Sequence, residues 1–366
     1  MDLIRLLSAA TKAGASDFHL SSGYPPIIRK NGETRWLDLP LLSAKEAHDI
    51  IYEILTEKQI GSFERDREID MGWDIKGLGR FRVNIFQALN GIGAAFRIIP
   101  EKIMTLDDIL APPAVYSLAN KLQGLVLVTG PTGCGKSTTL SAFVDHINSR
   151  RRGHILTIED PIEFVHKSKK CLITQREIGS HSNSFANALR AALREDPDVI
   201  LVGELRDLDT ISLALTAAET GHLVLGTLHT GSAPEAADRV IDVFPSGQHN
   251  QIRSIFSSTL QGVIAQKLIR RKDTDGRVAS MEIMLGSNSI RNLIRERKSH
   301  QLSSAIQTST EEGMQTGDQA LLNLLDSDAI TLEEAQKYAV ETRPFEEWAG
   351  SIRNVLHGRK KVAIPQ

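Results

Sequence analysis

One stretch of the chain decides its fold. It runs from Leu125 to Ser137 and reads LVLVTGPTGCGKS, an apolar run followed by the pattern G-x-x-x-x-G-K-S. The apolar run predicts a buried parallel strand. After the pattern, apolar residues return at the i, i+3, i+4, i+7 spacing of a helix, at Leu140, Phe143, Val144 and Ile147. The order strand, loop, helix predicts a nucleotide phosphate loop, and the alternative is an ordinary glycine-rich turn.

The loop residues suit the binding of ATP together with Mg²⁺. Glycines allow the backbone to turn its N–H groups inward around phosphate oxygens. Lys136 can reach the outer phosphates, and the hydroxyl of Ser137 is placed for Mg²⁺. The residues predicted to contact the nucleotide are Gly130, Thr132, Gly133, Cys134, Gly135, Lys136, Ser137 and Thr138.

Composition narrows the class of protein. The 366 residues are 41% hydrophobic, which is enough for packed cores in two or three domains. We find no apolar run of the roughly 18 residues that cross a bilayer, and no secretory signal at the start, so we expect a cytoplasmic protein without direct membrane insertion. The net charge of −2 and an aromatic content of 5% argue against nucleic acid as a partner. The two cysteines cannot form a disulfide framework.

Changes in pattern along the chain predict its organisation. Residues 1–100 read as a small α/β domain, 101–120 as a linker, 121–285 as the nucleotide-binding core and 286–366 as a helical region with a tail. In the core, short apolar strands alternate with helices predicted near 185–195, 205–219 and 248–268. This alternation is typical of an α/β fold with a mostly parallel sheet covered on both faces.

Two carboxylates follow predicted strands of the core. Glu204 ends the stretch DVILVGE, in which Gly203 stands where many Walker B strands carry Asp, so Glu204 is the candidate on the metal side. Glu163 lies in EDPIE after another strand and is the candidate general base that orients or deprotonates water. The alternative for both is an acidic residue that caps a helix or solvates a turn.

Two histidines and three arginines are further candidates for residues of the functional site. His222 and His229 flank the strand Leu223–Leu228 with an odd separation that argues against a shared metal ion. They are either polar residues at the strand ends or sensors of the nucleotide. Arg80, Arg82 and Arg97 are predicted on strand faces of the first domain, as solvated surface or as charges offered to a neighbouring subunit.

These motifs resemble the PilT family of type IV pilus retraction motors, within the secretion ATPase superfamily. The resemblance covers roughly residues 1 to 344. Besides the phosphate loop, it rests on ASDFHL at 15–20, the Asp box at 155–163, the Walker B region at 196–207, and the two halves of the His box at 216–222 and 226–230. It implies a PAS-like N-terminal domain, a RecA-like ATPase domain and a homohexamer.

The resemblance also implies roles for individual residues. Glu163 would be the catalytic base and Glu204 would act at Mg²⁺. His222 and His229 would couple the nucleotide state to motion. Arg82 and Arg97 would make contacts across the subunit boundary, with Arg80 as their alternate.

A helix near the C-terminal region favours the retraction branch. Residues 289–296 read SIRNLIRE and differ from the AIRNLIRE of that branch only at the first position. Ile290, Leu293 and Ile294 share one face and should pack inward, whereas Arg291, Asn292 and Arg295 should point elsewhere, so loss of Arg291 and Asn292 should leave folding near normal. Cys134, which replaces the usual Ser of the loop, is expected to be open to oxidation.

The expected function is therefore pilus retraction driven by ATP hydrolysis. The motor would be cytoplasmic and peripheral at the inner-membrane pilus base, where it would dock on a platform protein and move pilin indirectly. The alternatives are a pilus assembly or type II secretion ATPase, the accessory retraction paralogue, a RecA-like nucleic-acid translocase and a regulatory nucleotide-binding protein. The tetracysteine insert of assembly and secretion ATPases has no counterpart among the two cysteines.

Overall fold

The computed structural model describes residues 2–30, 32–99 and 102–350, in two compact units. One unit contains the N-terminal residues up to Ile103 together with Asp160–Val165. The other contains Met104–Glu159 and the chain from His166 onward. The predicted tail runs from about 345 to 366, and its residues 351–366 lie outside the described residues.

The N-terminal unit is an α/β domain built on one antiparallel sheet. Its helices are α1 Leu3–Lys12, α2 Ala44–Tyr52 and α3 Glu57–Asp66. Its strands are β1 Asp17–Ser21, β2 Ile27–Lys30, β3 Glu33–Trp36, β4 Glu68–Ile75, β5 Gly79–Ala88 and β6 Gly91–Ile99. The sheet has the order β3-β2-β1-β6-β5-β4. Alternation along β5 buries Phe81, Val83 and Ile85, and it leaves Arg80 and Arg82 on the other face, as predicted.

The second unit is built on a mostly parallel sheet. Its strands are β7 Gly124–Thr129, β8 Gly153–Glu159, β9 Cys171–Glu177, β10 Val199–Val202, β11 Leu223–Leu228, β12 Leu260–Arg270 and β13 Arg277–Leu285. Its helices are α4 Pro113–Ala119, α5 Lys136–Arg150, α6 Phe185–Ala192, α7 Leu208–Glu219, α8 Ala233–Asp242, α9 His249–Thr259, α10 Asn288–Arg295, α11 Leu302–Thr308, α12 Gly317–Asp326 and α13 Leu332–Tyr338.

The strand order of this sheet is β13-β12-β7-β11-β10-β8-β9. Only the β12–β13 pair is antiparallel. The central strands β7, β10 and β11 are buried along their whole length, because hydrophobic clusters cover both faces of the sheet. The predicted α/β class is therefore confirmed. No helix in the described ranges is long and apolar enough to cross a membrane.

The helix predicted near 248–268 is wrong in its second half. The helix α9 ends at Thr259, and β12 begins at Leu260 and runs beside β7. A short apolar run can be a buried strand or part of a buried helix, and periodicity alone does not separate the two. Pairing with β7 on one side and β13 on the other decides for the strand.

Two further expectations concern α10. Ile290 and Ile294 are fully buried and Leu293 is half-buried, so the predicted inward face is confirmed. The contacts of Arg291 argue against the expectation that its loss leaves folding near normal. Its guanidinium donates to the carbonyl oxygens of Gly286 at 2.7 Å, Ser258 at 2.8 Å and Leu260 at 2.9 Å, which joins α10 to the end of α9 and the start of β12.

We expect Arg291→Ala to lower the free energy of unfolding by about 2 kcal/mol, because charge-assisted bonds to backbone carbonyls are lost and the buried Leu260 carbonyl loses a donor. Urea unfolding followed by circular dichroism measures the loss. The matched control is Arg295→Ala on the exposed face of the same helix, which should change the free energy by less than about 0.5 kcal/mol. Equal stabilities of the two variants would contradict the structural role of Arg291.

Candidate functional site

The phosphate loop, Glu204 and His229 lie at one edge of the sheet of the second unit. The strands β7, β11 and β10 are adjacent and parallel, so their carboxyl ends lie together. The phosphate loop follows β7, His229 follows β11 and Glu204 follows β10 after Gly203. In open parallel sheets this edge is where ligands bind.

The phosphate loop has a positive φ, which favours glycine, at three of its positions, Gly130, Gly133 and Gly135. Gly130 has φ 141°, and a Cβ there would lie 2.4 Å from the carbonyl oxygen of Gln266. Gly135 has φ 90° and directly precedes α5. The N-cap residue Gly135 has no side chain to bond the start of that helix, and N–H groups without intrahelical partners at a helix start favour an anion. The loop thus presents the donors that a phosphate group requires.

Lys136 lies against the loop that it is predicted to serve. Its Nζ donates to the carbonyl oxygen of Gly130 at 2.8 Å and to that of Pro131 at 3.2 Å. Thr132 and Gly133 are exposed at the tip of the loop, and Ser137 and Thr138 are partly exposed in the first turn of α5. The positive charge is therefore placed at the mouth of the loop.

Glu204 is part of an ion-pair cluster. Its carboxylate lies 2.7 Å from the guanidinium of Arg206 and 3.1 Å from Nε2 of His229. Burial alone would raise the pKa of Glu204, but the hydrogen bond and charge of Arg206, with the charges of His229 and Lys136, hold that pKa below its ordinary value. Glu204 is thus ionised at neutral pH, beside one of the two predicted histidines.

There is a steric reason for a glycine at position 203, directly before Glu204. A Cβ at Gly203 would lie 3.2 Å from the carbonyl oxygen of Ile158 and 3.3 Å from Cα of Glu159, closer than most Cβ contacts. The carbonyl of Gly203 accepts from Oγ1 of Thr227 and its N–H donates to Ile158. The tight packing of β10 between its neighbours explains why an Asp does not stand here.

Cys134 points away from solvent. The residue is 4% exposed, and its Sγ would lie 2.6 Å from a Cβ at Gly130. Burial raises the pKa of the Cys134 thiol, which disfavours the reactive thiolate. The burial and the raised pKa argue against the expectation that this thiol is open to oxidation. The backbone of Cys134 is also bonded, since its N–H donates to the carbonyl oxygen of Pro131 at 3.2 Å.

The structure does not bring His222 to the same edge as His229. His222 precedes β11, at the amino end of the strand, and its Nδ1 lies 3.0 Å from the carbonyl oxygen of Ala217. A strand of this length separates its two ends by roughly 20 Å. The two histidines are therefore separated mainly by the length of β11, and within one chain only His229 lies beside Glu204.

In the N-terminal unit, Arg80 bonds the segment that carries Glu163, and Arg82 lies on the same strand. Arg80 donates to the carbonyl oxygen of Ile162 at 3.1 Å and pairs with Asp74 at 2.5 Å. Arg82 makes a bidentate pair with Asp70, the shorter contact being 2.6 Å. That hydrogen bond raises the pKa of Arg82, and the carboxylates of Glu163 and Asp160 act in the same direction.

Arg97 lies directly opposite Arg82 in the β5–β6 pair. Its guanidinium bonds Asp17 at 3.0 Å, yet 66% of its side chain remains exposed. Both arginines thus have carboxylate partners within their own unit, and Arg97 keeps most of its surface accessible.

Two features escaped the sequence analysis. A cavity of about 390 Å³ adjoins the phosphate loop at Gly135 and Thr138; its other lining residues include Met104, Ile109, Leu110 and Leu268. These residues come from distant parts of the chain, so no local sequence pattern predicts the cavity. The second feature is Gln266, a polar residue inside the apolar run of β12 that is only 2% exposed. A polar residue in a buried strand was the available signal.

A phosphate loop at the carboxyl edge of a mostly parallel sheet, with an ionised carboxylate on a neighbouring strand, defines a P-loop nucleotide-binding enzyme. The family described as Type II/IV secretion system protein matches residues 79–337. This chain belongs to that family.

Individual relatives are similar over nearly the whole chain. The Type IV pilus retractation ATPase PilT of Pseudomonas aeruginosa is 53% identical over 339 residues, which cover 93% of this chain and 98% of that protein. The Type IV pilus ATPase PilU of the same organism is 38% identical over 339 residues, covering 93% of this chain and 89% of that protein. A crystal structure of the pilus retraction motor PilT with bound ADP matches with a TM-score of 0.88 at 43% identity, covering 95% of this chain and 99% of that one.

Proposed function

We propose that this chain is an ATP-hydrolysing motor that powers type IV pilus retraction and hence twitching motility. The observation that carries the proposal is the 53% identity to a pilus retraction ATPase over nearly the whole chain, together with an intact phosphate loop. The chain is an ATPase by its family, and pilus retraction is the work to which hydrolysis is coupled.

Retraction is favoured over the alternatives by specific residues. The chain is 53% identical to the retraction ATPase PilT and 38% identical to PilU. The higher identity to PilT favours the principal motor over an accessory paralogue. All of the sequence SIRNLIRE except its last residue, Glu296, lies in α10. The two cysteines, both buried and free, supply no tetracysteine site. A net charge of −2 offers no attraction to nucleic acid.

The bound nucleotide would use both the loop and the cavity beside it. The phosphates would meet the N–H groups at the start of α5 and the ammonium of Lys136. The apolar side chains of Met104, Ile109 and Leu268 offer a surface for the base in the adjoining cavity. A nucleotide bound in this way would span the junction of loop and cavity at Gly135.

The oxygen atoms near the loop suit Mg²⁺. The donor set would be the hydroxyl of Ser137 and the ionised carboxylate of Glu204, and Mg²⁺ fills its remaining positions with water and phosphate oxygens. Bound Mg²⁺ would offset the negative charge of the phosphates. The ion pair with Arg206 can orient the carboxylate of Glu204. Because His229 contacts the same carboxylate, a movement of Glu204 would change that contact.

Glu163 is our candidate for the general base. It lies after the carboxyl end of β8, on a segment anchored through the bond from Arg80 to Ile162. A carboxylate held in this way can accept the proton of the water that attacks the terminal phosphate. Glu204 and Glu159 are the alternatives for this role.

The proposal also includes the protein partners of the chain, which are other copies of itself and a platform protein of the pilus base. The chain would form a homohexamer in which Arg82 and Arg97 of one subunit contribute charge to the site of the next, with His222 and His229 coupling the nucleotide state to movement. The ring would be cytoplasmic and would dock at the inner membrane on a platform protein of the pilus base. Pilin would then be moved indirectly, through that protein.

Loss of the phosphate contact and loss of the base should have different effects. We expect Lys136→Ala to lose much of its ATP affinity, whereas Glu163→Gln should bind ATP while its turnover falls by a factor on the order of 10² to 10⁴. Phosphate release and nucleotide binding are measured on the same preparations. The control Glu312→Gln changes an exposed carboxylate in the short 3₁₀ turn Thr310–Glu312, outside every motif of the site, and should leave both unchanged. Parental turnover in Glu163→Gln would move the role of base to Glu204 or Glu159.

The proposal that Arg97 of one subunit acts in the site of the next subunit can be tested with rings that contain two kinds of chain. Rings of only Arg97→Ala or only Glu163→Gln chains should be inactive, whereas mixed rings contain some interfaces with both groups and should recover part of the activity. As the control, Arg97→Ala is mixed with a chain that carries both changes, because Arg97 is then absent everywhere. A lack of recovery in rings shown to contain both single variants would contradict the arrangement.

The direction of the motor is decided in cells. Bacteria from which this chain has been removed should carry more and longer pili that no longer retract, because pilus assembly continues while retraction is lost. Pili are counted by electron microscopy, and labelled pili are followed by fluorescence. Re-expression of the parent should restore retraction, and re-expression of Lys136→Ala should not. Cells without pili would instead support an assembly ATPase.

A further inference from the structure

The phosphate loop is tied to the neighbouring strand β12 by one buried side chain. Gln266 Nε2 donates to the carbonyl oxygen of Cys134, inside the loop, at 2.6 Å. Gln266 Oε1 accepts from Oγ1 of Thr139, in the first turns of α5, at 2.9 Å. Both polar atoms of one amide are thus used to hold the loop and the helix that follows it.

The surroundings make this contact strong. Gln266 and Thr139 are each 2% exposed and Cys134 is 4% exposed, so water does not compete for these bonds. A buried amide or carbonyl that loses its partner is destabilised by the full cost of its desolvation. The backbone of β12 also approaches closely, because the carbonyl oxygen of Gln266 occupies the space that a Cβ at Gly130 would need.

We infer that Gln266 is a positioning residue of the phosphate loop, which sets the affinity for the nucleotide without touching the phosphates. The carbonyl of Cys134 faces β12, and this directs the N–H groups at the start of α5 toward the bound anion. If the amide is lost, the loop can rotate its peptide groups and the donors become misaligned. The inference rests on the proposed nucleotide site and adds a residue to it.

The bonds can be removed one at a time with isosteric changes. Gln266→Met removes both bonds at similar volume, Thr139→Val removes only the bond to Oε1, and Thr139→Ser keeps a hydroxyl donor. The matched control is Gln315→Met, because Gln315 bridges the carbonyl of Met281 at 2.7 Å and the amide of Asn323 at 3.0 Å in the same unit, without contacting the loop.

We expect Gln266→Met to weaken ADP binding by roughly fivefold to thirtyfold, with a similar rise in the KM for ATP and little change in kcat, because the loop holds the ground state and the transition state alike. Thr139→Val should show a smaller loss and Thr139→Ser a recovery. Affinities are measured by calorimetry with ADP well below the unfolding midpoint of each variant, and the rise in Tm on addition of ADP is measured in parallel. Gln315→Met should lower Tm while its ADP affinity stays parental.

The outcomes separate positioning from a merely structural role. If folded Gln266→Met and Thr139→Val bind ADP as tightly as the parent, and gain as much Tm from it, the role of Gln266 is refuted. If Gln266→Met does not fold, Thr139→Val and its rescue by Thr139→Ser decide the question. A parent that binds no ADP would instead refute the proposed nucleotide site itself.

Discussion

The structure of the site depends on how the phosphate loop satisfies its own carbonyl groups. A loop that turns its N–H groups toward an anion must turn several carbonyl groups toward the protein, where each needs a donor. Lys136 bonds the carbonyl groups of Gly130 and Pro131, and Gln266 bonds that of Cys134. The loop is therefore shaped by the protein before any nucleotide binds, and β12 is a structural part of it.

The parts of the site that follow strands could be predicted from the sequence. Buried parallel strands are read as continuous apolar runs, and their carboxyl ends share one edge of the sheet. This is why the positions of Lys136, Glu204 and His229 followed from local patterns. The same reasoning applies to His222, which precedes β11 and therefore lies at the amino edge of the parallel strands, away from His229.

What the sequence could not supply are contacts between distant segments. Gln266 lies 132 residues from Cys134 along the chain, and its run of apolar neighbours was assigned to a helix. Arg291 looked like a surface residue by helical periodicity, but its guanidinium reaches the carbonyl groups of Ser258 and Leu260. The segment with Glu163 was placed after β8, whereas its anchoring by Arg80 joins it to the N-terminal unit. Periodicity describes a face of an element and does not name what packs against it.

The strand β12 connects two of these non-local contacts. Its first residue, Leu260, accepts a hydrogen bond from Arg291 of α10, and its Gln266 holds the phosphate loop. The pairing of β12 with β7 shifts its register between Leu260 and Gly262. From Gly262 to Ala265 the strand is buried and is paired on both sides, with β7 and with β13. The geometry of the loop and the seating of α10 therefore both depend on contacts with one strand, most of which local periodicity assigns to a helix.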